Sequence, residues 1–269
     1  MRNFFSIDSP FVVALTRFAD VMWLNILTLI FAIPLFIEQA LILGPVISPI
    51  MTEGGQFNYD LFVAAVMWAW IFGIPCSAIL GPACTAMHYV LLKMVRDEDS
   101  YITKSFFKSF KENFKQGIVL QIIKFIVGGM LIVDFFILSR KGGFYRYVVF
   151  AMFIVLYIVG LYVFPLLSKF VNTNMKTIKN AFMVAIIALP RSFGMAIISI
   201  LPLICAYFFD IKVVPVYVLI GIAGPSYLCA KLYDPTFKRF EPEEEQLSEE
   251  EELSAAIRKI DSLDDEKEE

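Results

Sequence analysis

Apolar runs and short polar breaks alternate along the chain, and their spacing predicts an all-α protein, a polytopic transmembrane helix bundle of about six spans. Ser9-Pro10 marks a helix start, with the proline in the first turn where no backbone donor is lost. Met1 to about Thr16 reads as an amphipathic lead-in, and the first span follows over about Phe18 to Ile37. Ala40 to Met51, ALILGPVISPIM, is too short to span and holds two prolines, which predicts a re-entrant or interfacial segment. Leu61 to Arg96 is too long for one straight crossing and must break near Pro75, Gly81 and Pro82. One kinked span is the favoured form, and two short spans meeting at a turn is the other. Later spans are expected over about Gly117 to Ser139, Tyr147 to Phe170, Phe182 to Phe209 with kinks at Pro190 and Pro202, and Val213 to Tyr233. Asn172 to Asn180 is expected to be a polar connector. The motif IFAIP at Ile30 recurs as IFGIP at Ile71, each copy followed by Gly-Pro, either as a local duplication or as a coincidence of simple apolar sequence.

The chain is organised around Gly81 to Gly117, GPACTAMHYVLLKMVRDEDSYITKSFFKSFKENFKQG. A Gly-Pro pair opens an apolar helix that ends in Lys93 and Arg96, and the acidic turn Asp97-Glu98-Asp99 follows. At 100° per residue, Ile102, Phe106, Phe107, Phe110 and Phe114 then fall on one face and Lys104, Lys108, Lys111 and Lys115 on the opposite one. Between two spans, such a segment is expected to be an amphipathic cytoplasmic interfacial helix, lying in the headgroup layer of an anionic leaflet. It serves either as a topological anchor or as a docking surface for lipid or a partner.

This stretch resembles the signature of the YesL-like family, bacterial integral membrane proteins of unknown function. There a Gly-Pro-Ala turn leads into a helix ending in basic residues, then an acidic turn, then a Phe- and Lys-rich segment ending near Asn-Phe-Lys-Gln. Trp23-Leu24-Asn25 with Pro34 resembles the family's first span, and Asp134 stands where its third span often has an acidic residue. The resemblance implies a small multi-pass protein of a bacterial cytoplasmic membrane, with family genes often beside carbohydrate (ABC-type) uptake systems. It implies no catalytic residue.

Composition supports the membrane reading: 58% of the 269 residues are hydrophobic and the mean hydropathy is +0.71, against about 45–50% apolar residues in soluble domains. The net charge of −3 hides a split. Residues 241–269 hold 14 Asp and Glu against Arg258, Lys259 and Lys267, which leaves 20 basic and 12 acidic residues in 1–240. The expected organisation is thus a helical membrane domain over 1–240 and an acidic, mostly disordered cytoplasmic tail over 241–269. One set of short loops carries most of the Lys and Arg, and the other only Arg140, Lys141, Arg146 and Lys212. That bias predicts both termini in the cytoplasm. No small-residue cleavage pattern follows the first run, so it is expected to stay as a signal anchor. A basic membrane body points to anionic lipid at the inner leaflet and not to nucleic acid.

Candidate chemistry is sparse. Cys76, Cys84, Cys205 and Cys229 lie in apolar runs without ligand spacing, so neither a metal nor a disulfide is expected, and no cofactor is called for. The intramembrane polar residues are Asn25, His88, Lys124, Asp134 and Arg191. Each also has a structural reading: Asn25 bonding a neighbouring helix, Lys124 and Arg191 reaching the interface, Asp134 pairing with Arg140 or Lys141, His88 packing between helices. No nucleophile elbow, phosphate loop or HExxH is present. The leading expectation is a non-enzymatic accessory or regulatory protein, partnered by a transporter subunit or another membrane protein. A small transporter or channel for a polar solute is the alternative, favoured by the broken helices. A lipid-directed enzyme lacks a cluster of catalytic groups.

Overall fold

The computed structural model describes residues 9–52, 58–98, 101–141, 143–209 and 214–241, and within these it is all-helical. The helices are α1 (Pro10–Thr52), α2 (Tyr59–Ala78), α3 (Leu80–Val95), α4 (Ile102–Glu112), α5 (Phe114–Lys141), α6 (Tyr145–Lys169), α7 (Asn174–Ile187), α8 (Leu189–Phe209), α9 (Val214–Ile220) and α10 (Ala223–Phe237). Four of them, α1, α2, α5 and α6, are long and apolar enough to cross a membrane. The number rises to six if the bent pairs α7–α8 and α9–α10 each count as one span. By its contacts the chain divides into Met1–Asp234 and Pro235–Glu269. The acidic tail beyond Glu241 lies outside the described residues.

Helix α1 starts at the Ser9-Pro10 signal, with Ser9 Oγ accepting from the Val12 amide at 3.3 Å. It then runs 43 residues without interruption, roughly 65 Å at 1.5 Å per residue. The expected re-entrant segment at Ala40–Met51 is therefore the second half of one long helix. Pro34 and Pro45 forfeit a backbone bond each, but α2 turns back along this half and holds it: Gln39 Nε2 donates to Ala69 O at 3.1 Å. In the second copy of the motif the chain does break, at Ile79, between Pro75 and Pro82.

Helices α2 and α5 run antiparallel. Tyr59 Oη donates to Phe136 O, Trp70 Nε1 donates to Phe125 O, and Gly81 at the start of α3 meets Gly117. The line from Tyr59 to Gly81 thus follows α5 steadily, as a kinked continuation and not as two short spans turning back on each other. Helix α3 departs from the rest in burial: Gly81, Pro82, Ala83, Thr85, Ala86 and Met87 are all buried, as are Val90 to Leu92. It packs on α1, α4, α5 and α6 and forms the centre of the fold. Its small residues let those neighbours approach closely.

Helix α6 returns along α5, with Phe135 near Phe150 at one end and Gln116 Nε2 donating to Asn172 O at 2.9 Å at the other. The expected polar connector Asn172–Asn180 is helical from Asn174, because the chain bends later. The bend falls at Ala188, where α7 and α8 meet at 103°, and Pro202 lies inside an unbroken α8. Helix α8 is tied to α6 by Tyr162–Ser192 at 2.9 Å and Tyr157–Ser199 at 2.6 Å. Outward on the long helices stand large apolar side chains such as Phe36, Leu41, Met130 and Ile197, the surface expected of helices in lipid.

Candidate functional site

The Gly81–Gly117 stretch folds into a closed hairpin whose two terminal glycines touch. A Cβ on Gly81 would lie 2.1 Å from Gly117 O, and one on Gly117 would lie 2.7 Å from Pro82 N. Only two glycines allow backbones this close. Between them α3 runs out, turns at Arg96–Asp97, and α4 returns along it. In the turn, Glu98 N donates to Lys93 O at 3.0 Å while Asp97 takes φ 57°, a Schellman closure with aspartate where glycine is usual. The Asp97 carboxylate accepts from Arg17, whose guanidinium also donates to Met94 O, so α1 is fastened to the turn.

This closure changes the role of the aromatic face. Phe106 is 0% exposed and stacks on Phe31 and Phe110, and Ser109 is buried beside it. Phe110 is half-buried with its ring 4.7 Å from Phe31. Phe106 is therefore a core residue and not a lipid contact. Burying it contributes about 1.5–3 kcal/mol to docking of α4 on α1 and α3. Trp23 Nε1 donates to Thr103 Oγ1 at 2.9 Å on the same seam. Asn113 interrupts the segment, so Phe114 and Lys115 belong to the first turn of α5. What faces outward is Lys104, Lys108, Lys111 and Lys115, together with Phe107, Phe114 and Tyr101, the last 84% exposed. Tyr101, Phe107 and the first three of those lysines line one open groove.

The intramembrane polar residues scatter and do not converge on one site. Asn25, 0% exposed, clamps the break between α9 and α10. Its Nδ2 donates to Tyr217 O (3.0 Å) and Val218 O (2.8 Å), and its Oδ1 accepts from Ile222 N and Ala223 N, both at 2.8 Å. His88 Nδ1 is 3.4 Å from Tyr233 Oη, with the two rings edge to face. Arg191 is half-buried in the first turn of α8, next to the 103° bend. Asp134 is exposed on α5; the side chains of Arg140 and Lys141, its expected partners, lie outside the described residues. Lys124 is exposed on α5, and its stem leans toward α6. Its ammonium rests 5.1 Å from the Phe164 ring and against Gly160 on α6, with no hydrogen bond or ion pair among the described residues.

Four polar groups escaped the sequence reading. Glu38 and Gln39 read as the end of a span, but the continuity of α1 places both inside a helix long enough to cross a membrane. Gln39 Nε2 donates to Glu38 Oε2 at 2.7 Å, and Glu38 Oε1 is buried without a hydrogen-bond partner. Gln121 is 7% exposed and makes no hydrogen bond among the described residues. With Gln39 and Lys124 it lines a cavity of about 250 Å³ between α1, α2 and α5, whose other walls include Leu43, Val66, Trp70, Phe125 and Ile132. Asp234 completes the set: buried on α10, it accepts from Arg96 Nε at 2.7 Å. A carboxylate in an apolar run was the available signal for Glu38; nothing local marks Gln121.

Among the described residues no group of three or more His, Cys, Asp and Glu is placed to hold a metal ion. The model of a family described as "Protein of unknown function, DUF624" matches residues 21–135. That match runs from α1 through the hairpin into α5, and so takes in both the lysine face and the cavity. No curated protein and no solved structure matches the chain.

Proposed function

We propose that this is a non-enzymatic accessory or regulatory protein of a bacterial cytoplasmic membrane, with both termini cytoplasmic. In this reading it rests the α4 face on the anionic inner leaflet and meets a membrane partner there, such as a subunit of a carbohydrate (ABC-type) transporter. The observation that carries the reading is the division of labour on α4. Phe106 and Phe110 are spent on α1 and α3, which fixes the helix rigidly, while the lysines and Phe107 are left outward. A lysine near an anionic surface contributes about 1 kcal/mol, so four supply about 4 kcal/mol at low salt, falling as salt screens them. The carbohydrate assignment rests on the family resemblance of the Gly81–Gly117 stretch alone.

The test is a spin label or fluorophore at Glu112, exposed beside Lys108 and Lys111, in liposomes with and without anionic lipid. Immersion should require anionic lipid and be lost when Lys104, Lys108, Lys111 and Lys115 become Gln. An unchanged signal in that variant, with a transporter subunit no longer recovered from native membrane, leaves the partner and refutes the lipid contact. Loss of neither refutes the role of α4. The second reading, a small transporter for a polar solute, is favoured by the cavity at Gln39, Gln121 and Lys124 and by the bent helix pairs. Solute flux in proteoliposomes decides for it.

A further inference from the structure

Helix α4 presents its lysines in a fixed register. Lys104, Lys108 and Lys111 stand at i, i+4 and i+7, so at 100° per residue they fall within about 60° of the helix circumference. All three are exposed and line one open groove with Tyr101 and Phe107. Among the described residues the ion pairs fall on Arg17, Lys93 and Arg96, and none engages these three. Glu112, the carboxylate on α4, is not part of the groove. The platform beneath is stiff: Phe106 and Phe110 stack on Phe31 of α1, and Trp23 Nε1 donates to Thr103 Oγ1 at 2.9 Å. The spacing of the lysines is therefore set before any lipid arrives. Neighbours on such a ridge are about 5–6 Å apart at Cβ. Three lysines leave two gaps, one on each side of Lys108, with centres roughly 5 Å apart along the axis.

We infer that this groove binds diphosphatidylglycerol, a lipid with two phosphates on one glycerol bridge. The inference rests on the reading that the α4 face meets the anionic leaflet, and it names the lipid which that face selects. One phosphate sits between Lys104 and Lys108 and the other between Lys108 and Lys111, so Lys108 serves both. A three-carbon bridge spans the short step between the gaps. A lipid with one phosphate fills both gaps only as two separate molecules, whereas here the first phosphate delivers the second. Basic pockets at the cytoplasmic side of membrane helices suit this head group. Phe107 and Tyr101, 40% and 84% exposed, flank the lysines with ring surface for the glycerol bridge and the first methylenes of the chains. Lys115 is exposed as well, but it belongs to α5, outside the groove, and adds charge without register.

The test is native mass spectrometry of the full chain in detergent, titrated separately with dioleoyl phosphatidylglycerol and tetraoleoyl diphosphatidylglycerol at equal phosphate. Diphosphatidylglycerol should bind about tenfold more tightly. Lys108→Gln should bring the two lipids to one common, weaker level, and Lys108→Arg, which keeps the charge in place, should keep most of the preference. Lys115→Gln removes the same charge from outside the groove and should weaken both lipids alike, with their ratio unchanged. Each change replaces an exposed side chain, so folding is not at stake. Equal affinity for the two lipids in the parent protein, with both falling when Lys104, Lys108 and Lys111 become Gln, overturns the two-phosphate site and leaves the leaflet reading standing. A preference that survives that triple variant, or that is lost equally in Lys115→Gln, also overturns the site. If the triple variant changes neither affinity, the leaflet reading falls with it.

Discussion

Replacing Asn25 by Leu tests the polar contact that ties α1 to the break between α9 and α10. Four backbone groups depend on this one amide: the N–H groups of Ile222 and Ala223 and the carbonyls of Tyr217 and Val218. Tyr217 O keeps a second partner, the Gly221 amide at 2.9 Å. Val218 O does not, because the bend withdraws the Ile222 N–H that a straight helix would give it. Two donors left unpaired in an apolar interior cost about 1–3 kcal/mol each. Interhelical hydrogen bonds in membranes average about 0.6 kcal/mol and reach about 1.7. Between these bounds the variant should lose about 2–4 kcal/mol, a fall in Tm of roughly 5–15 °C. The assay is thermal unfolding in detergent, paired with hydrogen exchange at Ile222 and Ala223, which should speed up. Straightening of the 45° bend between α9 and α10 would recover part of the loss and slow that exchange again. A Tm within a degree of wild type, with exchange unchanged, would mean that water or lipid satisfies the break and that Asn25 does not hold it.

Three further perturbations follow the same logic. Gly81→Val drives a side chain into Gly117 O and should abolish accumulation of folded protein in the membrane, whereas Gly44→Ala, where a Cβ meets nothing, should leave the yield unchanged. Asp234→Ala takes the carboxylate from the part-buried Arg96 guanidinium and should cost up to about 3–5 kcal/mol in an unfolding titration, with the double variant Arg96→Met/Asp234→Ala recovering part of it. Asp97→Asn keeps a residue tolerant of positive φ but weakens the Arg17 contact, so it should cost less than Asp97→Val, which loses both; the two are compared by melting. Single cysteines at Ser6 and Ser248, in a background without the native four, should resist an impermeant thiol reagent in intact cells if both termini are cytoplasmic.

Local sequence determined the helices themselves. Ser9-Pro10 set the start of α1, the crowding of Pro75, Gly81 and Pro82 set the break at Ile79, and apolar length set α5 and α6 within a few residues. These features depend on neighbours in the chain, through backbone donors, capping groups and transfer of apolar surface. Tertiary structure decided what each helix does. The same IFxIP-then-GP motif runs straight in α1 and breaks before α3, because α2 supports the second half of α1 while the Gly81–Gly117 approach takes up the turn after Ile79. The three Phe side chains on one face of α4 are alike at 100° per residue, yet Phe106 is core and Phe107 is surface, since only the former meets Phe31 from another helix. Asn25 is visible as a lone amide, but the partner it needs lies some 190 residues along the chain. Gln121 looks like any polar residue near a span end until α1 and α2 close a cavity over it. Periodicity tells which face of a helix is apolar, and only packing tells whether that face meets lipid, another helix or an unfilled space.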